Sequence, residues 1–213
     1  MKGVPLNEEL YNYIVDTFAE EDEILRNVVK STSENDLPLI HISPENGKFL
    51  YMLAKMIGAR RIIEVGTLAG YSTIWMARAL PEDGKLITLE VDERHASVAQ
   101  ENFNKAGLAS KIGLIRGDAS ETLRKMKDER FDFAFIDADK ISYPLYFELV
   151  LPMMNKGGII AADNALRDGE VVKSNPDEGT RGVQIYNKMT ASDPRVVSLL
   201  IPISDGLTIS YVK

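Results

Sequence analysis

The sequence predicts an open α/β fold on a mostly parallel sheet, and three observations carry that expectation. Short apolar runs, among them 61–65, 85–91 and 131–136, alternate with longer stretches of helical periodicity. That βαβ rhythm places helices on both faces of a parallel sheet. The runs before Asp137 and Asp163 are apolar at nearly every position rather than at every second one, as in strands buried on both faces. The chain then closes on two β-like runs, 195–201 and 207–212, spaced to form an antiparallel hairpin along one sheet edge.

Each element has a local reason. From residue 7 to about 30, Leu10, Ile14, Phe18, Ile24, Leu25, Val28 and Val29 recur near helical spacing and predict one charged amphipathic helix. Ser43 before Pro44 and Glu45 is a helix start, and that helix runs to Ile57. After Gly58 come strand 61–65, turn 66–70 and helix 71–80. The turn Pro81-Glu82-Asp83-Gly84 leads to strand 85–91 and helix 93–106. Strand 112–116 passes through Asp118 to another helix, and strand 131–136 follows. A helix over 144–154 precedes strand 157–162. A loop over 165–179 and a helix over 180–191 come before the hairpin, which brings the sheet to seven strands. No repeat, low-complexity tract or linker divides the chain. The expectation is one domain over 1–213, with residues 1–40 as a helical extension that serves as a lid or dimer contact.

Composition narrows the function. Twenty-five basic against 32 acidic residues, a net charge of -7, argues against nucleic acid or an anionic membrane as partner. The absence of cysteine excludes disulfides, thiolate metal sites and cysteine nucleophiles, and it suits a reducing compartment. Residues 1–7 carry no apolar core of signal-peptide length and no segment approaches a membrane span, so a cytoplasmic protein is expected.

The chemistry gathers after the strands. Asp137-Ala138-Asp139-Lys140 follows one buried run and Asp163-Asn164 follows the next, at the sheet edge where ligands of open α/β folds bind. Two carboxylates and a side-chain amide offer oxygen ligands to a hard cation such as Mg²⁺ or Ca²⁺. Lys140 has two readings, a proton acceptor or an ion-pair partner of the aspartates. Earlier, Glu64-Val65-Gly66-Thr67-Leu68-Ala69-Gly70 joins strand to helix, and Glu90 ends the next strand where a carboxylate can accept ribose hydroxyls. Gly117-Asp118-Ala119 follows the third strand; Asp118 can cap a helix or bond an adenine amino group. Leu68 stands where the dinucleotide fingerprint G-x-G-x-x-G requires its second glycine, which argues against a nicotinamide enzyme. His41 and His95 lie in separate elements and form no metal pair, His95 belonging to a solvated helix. Trp75 reads as core, and Tyr143 and Tyr146 as either helix packing or contacts to an aromatic substrate.

Together, Glu64 to Ser72, Leu89-Glu90, Gly117 to Ala119, Asp137 to Lys140, Asp163-Asn164 and Asp205-Gly206-Leu207 resemble class I S-adenosylmethionine-dependent methyltransferases. More narrowly, they are similar to the bacterial type of the cation-dependent O-methyltransferases, the caffeoyl-CoA and catechol O-methyltransferase group. The resemblance implies a Rossmann-like, doubly wound sheet. It assigns Ile42, Glu64, Gly66, Thr67, Ser72, Glu90, Asp118, Ala119 and Asp139 to S-adenosylmethionine. It assigns Asp137, Asp163 and Asn164 to a divalent metal, Mg²⁺ first with Ca²⁺ or Mn²⁺ as alternatives, and Lys140 with Asp137 to catalysis. It also implies a homodimer and a small catechol or phenylpropanoid-like acceptor. Plant-type members often carry a coenzyme A-binding arginine where Gln184 stands here, and glutamine cannot neutralise a phosphate, so a free catechol is expected over a thioester. Two other readings make different predictions. A methyltransferase acting on another nucleophile would survive metal removal, and a noncatalytic protein would bind cofactor without turnover.

Overall fold

The computed structural model describes residues 6–213; residues 1–5, on which part of the signal-peptide expectation falls, lie outside the described residues. Five parallel strands form the body of the sheet: β1 (Arg61–Val65), β2 (Lys85–Glu90), β3 (Ile112–Arg116), β4 (Phe131–Ile136) and β5 (Met154–Ala162). With β6 (Val196–Ile201) and β7 (Leu207–Val212) they make a seven-stranded sheet of order β3-β2-β1-β4-β5-β7-β6. The last two strands run as the expected antiparallel hairpin, with β7 paired to β5 and β6 left on the edge. This is the doubly wound, Rossmann-like arrangement the sequence predicts.

Side chains alternate between faces along a strand, and the core divides accordingly. Ile62, Leu86, Phe133 and Phe135 meet Leu25, Leu50, Ile74 and Phe103 from helices α2 (Glu23–Glu34), α3 (Pro44–Met56), α4 (Tyr71–Ala79) and α5 (Glu93–Lys105). On the other face Ile63, Val65, Ala134 and Ile136 meet Leu123, Phe147 and Tyr186 from α6 (Ala119–Lys125), α7 (Tyr143–Val150) and α8 (Glu178–Ser192). Phe133 and Phe135 are fully buried, each worth about 1.5–3 kcal/mol in burial. The strand that carries Asp137 is therefore firmly anchored.

The N-terminal segment departs from the single helix expected. A first helix, α1 (Glu8–Phe18), ends at Ala19, and α2 starts after Asp22, whose carboxylate accepts from the Leu25 N–H at 3.0 Å. Glu20, Glu21 and Asp22 put three acids where a helix C-terminus disfavours negative charge and a new N-terminus favours it. Phe18 is 65% exposed and α1 buries no residue, whereas α2 inserts Leu25, Val28 and Thr32. The helix expected over 144–154 stops at Val150 and tightens into a 3-10 turn, Leu151–Met153, where Pro152 cannot donate a helical bond. The expected loop over 165–179 contains 3-10 turns over Arg167–Val172, and α8 starts at its cap, Asp177. Among the described residues no helix is long and apolar enough to cross a membrane.

Candidate active site

The carboxyl ends of the central strands lie level, since Val65 pairs in register with Leu89 and Ile136, and Ile136 with Ala162. Strand order reverses between β1 and β4, and ligands of open α/β sheets bind in the crevice at such a switch. A cleft of about 510 Å³ opens there.

On one side is the β1 turn. At Gly66, with φ +96°, a Cβ would stand 2.1 Å from the Asp137 carbonyl oxygen, so only glycine lets this turn lie against the turn after β4. Leu68 adopts the left-handed conformation, φ +51°, although it is not glycine. Glu90 holds it there. Its Oε2 accepts from the N–H groups of Thr67 (3.1 Å) and Leu68 (2.8 Å), and its Oε1 from the Asp92 N–H (2.9 Å). A carboxylate offers about four acceptor positions, so Glu90 retains capacity for a hydroxyl. His95, expected in a solvated helix, instead lines the cleft with Nδ1 3.6 Å from Glu90 Oε1.

Glu64 does not open onto the cleft. It is fully buried, accepts from Ser72 Oγ (2.6 Å) and from Thr73 Oγ1, and burial pushes its carboxyl up to about 7. It thereby fixes the first turn of α4 and presents Ser72, which lines the cleft with Thr67 and Ile42. Asp118 also lines it, beside Ala119. Asp118 caps α6 through Oδ1, accepting from Ser120 Oγ (2.6 Å) and the Glu121 N–H (2.9 Å), and these bonds hold its carboxyl below the usual range.

The opposite side holds the acids. Lys140 Nζ donates to Asp137 Oδ1 at 2.7 Å and to Tyr143 Oη at 2.8 Å. Tyr143 is fully buried, with its hydroxyl near the carbonyls of Ile136 (3.2 Å) and Asp163 (3.1 Å), so it is a strut beneath Lys140 rather than a ring contact. Tyr146 lines the cleft and donates to Asp139 Oδ2 (2.6 Å), while Asp139 Oδ1 caps the 3-10 turn Lys140–Ser142. Asp163 is 5% exposed and accepts from Asn46 Nδ2 at 2.9 Å. Burial and the neighbouring Asp137 push its carboxyl up to about 7. Asn164, left-handed at φ +54°, donates from Nδ2 to Asp205 Oδ2 at 3.1 Å, and its Oδ1 receives no hydrogen bond from the described residues.

Two carboxylates whose negative charges oppose each other, with an amide oxygen beside them, fit a hard divalent cation by charge and donor type. Among the described residues no three His, Cys, Asp or Glu side chains gather as a metal set; the third donor here is an amide.

Asn46, Arg167 and the strut role of Tyr143 escaped the sequence reading. Asn46 sits 117 residues from Asp163, in a polar helix start between Glu45 and Gly47 that gives it no distinguishing signal. Gln184, where an arginine was considered, donates to the carbonyls of Val171 (2.9 Å) and Lys173 (3.1 Å) and clasps the loop before α8. Trp75 is core, as expected, packed over Gly47.

Comparison with known proteins agrees with this geometry. A model of the O-methyltransferase family matches residues 15–213. A catechol O-methyltransferase of Niastella koreensis is 43% identical, over 97% of this chain and 97% of the relative. Caffeoyl-CoA O-methyltransferase 2 of Zea mays is 33% identical, over 98% of this chain and 84% of the relative. The crystal structure of an O-methyltransferase from Bacillus cereus in complex with SAH superposes with a TM-score of 0.91 at 36% identity, covering 95% of this chain and 96% of that one. Fold and cleft thus define a methyltransferase. The chain belongs to the O-methyltransferase family, in the branch whose members are named catechol and caffeoyl-CoA O-methyltransferases.

Proposed function

We propose that this chain transfers the methyl group of S-adenosylmethionine to one hydroxyl of a vicinal dihydroxy aromatic compound, with Mg²⁺ or a similar cation held by Asp137, Asp163 and Asn164. One observation carries the reading: Asp137, paired with Lys140 and close enough to buried Asp163 to raise its carboxyl, lines a cleft whose other wall is the Gly66 turn and Glu90. The name of the Niastella relative and the SAH bound in the Bacillus structure support it.

When bound, the cation supplies positive charge that favours the ionised acceptor hydroxyl, and S-adenosylmethionine supplies a methyl on a sulfonium leaving group. Glu90 offers its remaining acceptor capacity to ribose hydroxyls, and Asp118 with Ala119 borders the adenine. Ile42, Gly66, Thr67, Ser72 and Asp139 border the rest of the cofactor, with Glu64 acting one layer back through Ser72. Lys140 is the group placed to take the hydroxyl proton, at Nζ. The resulting ammonium is held by Asp137 Oδ1 and Tyr143 Oη, the two contacts Nζ makes in the structure. The acceptor oxygen bonds to the methyl carbon as the carbon–sulfur bond breaks, leaving a thioether.

The reading includes a cytoplasmic homodimer built from one domain, residues 1–213. The lack of cysteine suits a reducing compartment. Tyr13 and Phe18 on α1 are 60% and 65% exposed, apolar surface that a second copy or a closing lid would cover.

The test is methyl transfer to catechol, caffeate and 3,4-dihydroxybenzoate against phenol and guaiacol. Product from the vicinal diols alone is expected, and Lys140→Ala should lower kcat by about 10²–10⁴-fold, the range for a general base. Equal product from monophenols, or none from any diol despite cofactor binding, overturns the proposal.

A further inference from the structure

Beside Lys140 the cleft carries a cation that forms no salt bridge among the described residues. Arg167 lines it together with Lys140 and Asn164. Its Nε is enclosed yet meets no hydrogen-bond acceptor. Among the described residues it forms no salt bridge, and Lys140, the other lysine or arginine of this wall, is committed to Asp137 and Tyr143. The acid whose carboxyl Arg167 helps hold low, Asp177, uses its Oδ1 to cap α8 at the Thr180 N–H (2.6 Å). A partly buried guanidinium whose enclosed Nε lacks an acceptor favours a ligand that supplies one.

The backbone is arranged around this side chain. Arg167, Asp168 and Gly169 are successive left-handed residues at φ +51°, +52° and +84°. Such strain persists only where the surroundings over-determine it, and it clusters at ligand clamps. Asp205 supplies the restraint: its Oδ1 accepts from the Asp168 N–H (2.6 Å) and its carbonyl from the Leu166 N–H (2.9 Å). Gln184 ties down the far end of the same loop. The guanidinium stands next to the lysine. Asp177 Oδ1 (3.5 Å), Lys140 Cβ (3.6 Å) and Arg167 Nη2 (3.9 Å) all lie around the point where a Cβ on Gly179 would be. That is the acceptor side of the cleft, across from the Gly66 turn.

We propose that Arg167 pairs with a carboxylate on the acceptor, so that the substrates of this enzyme are catechol carboxylic acids in preference to neutral or cationic catechols. The inference rests on the catechol reading above. A guanidinium fork matches a carboxylate with two parallel hydrogen bonds, which lysine cannot reproduce and glutamine cannot charge-balance. The carboxylate of the cofactor is the other source of the same chemistry, and the experiment separates the two.

Steady-state kinetics of wild type, Arg167→Gln and Arg167→Lys with caffeate, 3,4-dihydroxybenzoate, neutral catechol and dopamine would be paired with calorimetric titration of S-adenosylhomocysteine and of caffeate. The expected result is a wild-type preference for the acids. Arg167→Gln should raise their KM about tenfold to a hundredfold, the range for a lost charge-assisted contact. Its KM for catechol should stay within about threefold, the calorimetric affinity for caffeate should fall in parallel, and Arg167→Lys should lie between. Parallel KM changes for charged and neutral acceptors, or weakened S-adenosylhomocysteine binding with acceptors unaffected, overturns the inference. Methylation of catechols without regard to charge sinks this inference alone. A wild type that methylates no catechol sinks the parent reading as well.

Discussion

Glu64 shows what one buried carboxyl demands of its neighbours. Raised from an ordinary 4.5 to about 7 by burial, it takes up a proton in the folded state over that interval. An acid raised on folding stabilises the fold fully below its unfolded pKa and loses that contribution as pH rises through the folded value. Asp163, raised from 3.8 to about 7, acts with the same sign. Metal-free protein should therefore lose stability to urea as pH climbs from about 4 to about 7. Glu64→Gln should flatten that slope, since one of two such groups is gone. An unchanged slope would contradict the assignment. At this scale the sequence displays Asp137, Lys140, Asp163 and Asn164 because all lie within four residues of the end of a buried strand. Asn46 and Arg167 were not legible: one sits in the first turn of a helix, the other in a loop whose left-handed backbone has no signature in an Arg-Asp pair.

Among the elements, close backbone approach decides function. Gly66 lets its own turn touch the turn after β4, and Gly182 lets α8 press on the segment that carries Lys140. A Cβ at position 182 would stand 2.2 Å from the Lys140 carbonyl oxygen, a backbone atom with little freedom to retreat. Gly182→Ala should cost about 1–3 kcal/mol, typical of overpacking, and lower Tm by about 2–12 °C for a chain of this size. It should also depress kcat more than the KM for S-adenosylmethionine, because it displaces Lys140 and leaves the Gly66 turn in place. Wild-type kcat in the variant would show that this contact does not position the lysine. The strands were readable from unbroken apolar runs, and the closing hairpin from the spacing around Gly206. The division of α1 from α2 was not, because apolar spacing continues across a break set by the acidic run Glu20 to Glu23.

Across the whole molecule, one topological fact assembles the site. Strand order reverses between β1 and β4, so the Gly66 turn and the Asp137 and Asp163 carboxyls, distant in sequence, meet at one sheet edge. Two apolar layers hold that edge rigid from both sides. The charges of Asp137 and buried Asp163 oppose each other, with Lys140 held on Asp137. That charge pattern is why the account requires a divalent cation. The direct test is methyl transfer to catechol by wild type dialysed against EDTA, then titrated with Mg²⁺, alongside Asp163→Asn. The account predicts no product in EDTA, recovery on adding Mg²⁺, and a variant that needs far more Mg²⁺ for its residual rate. Full activity in excess EDTA would contradict it.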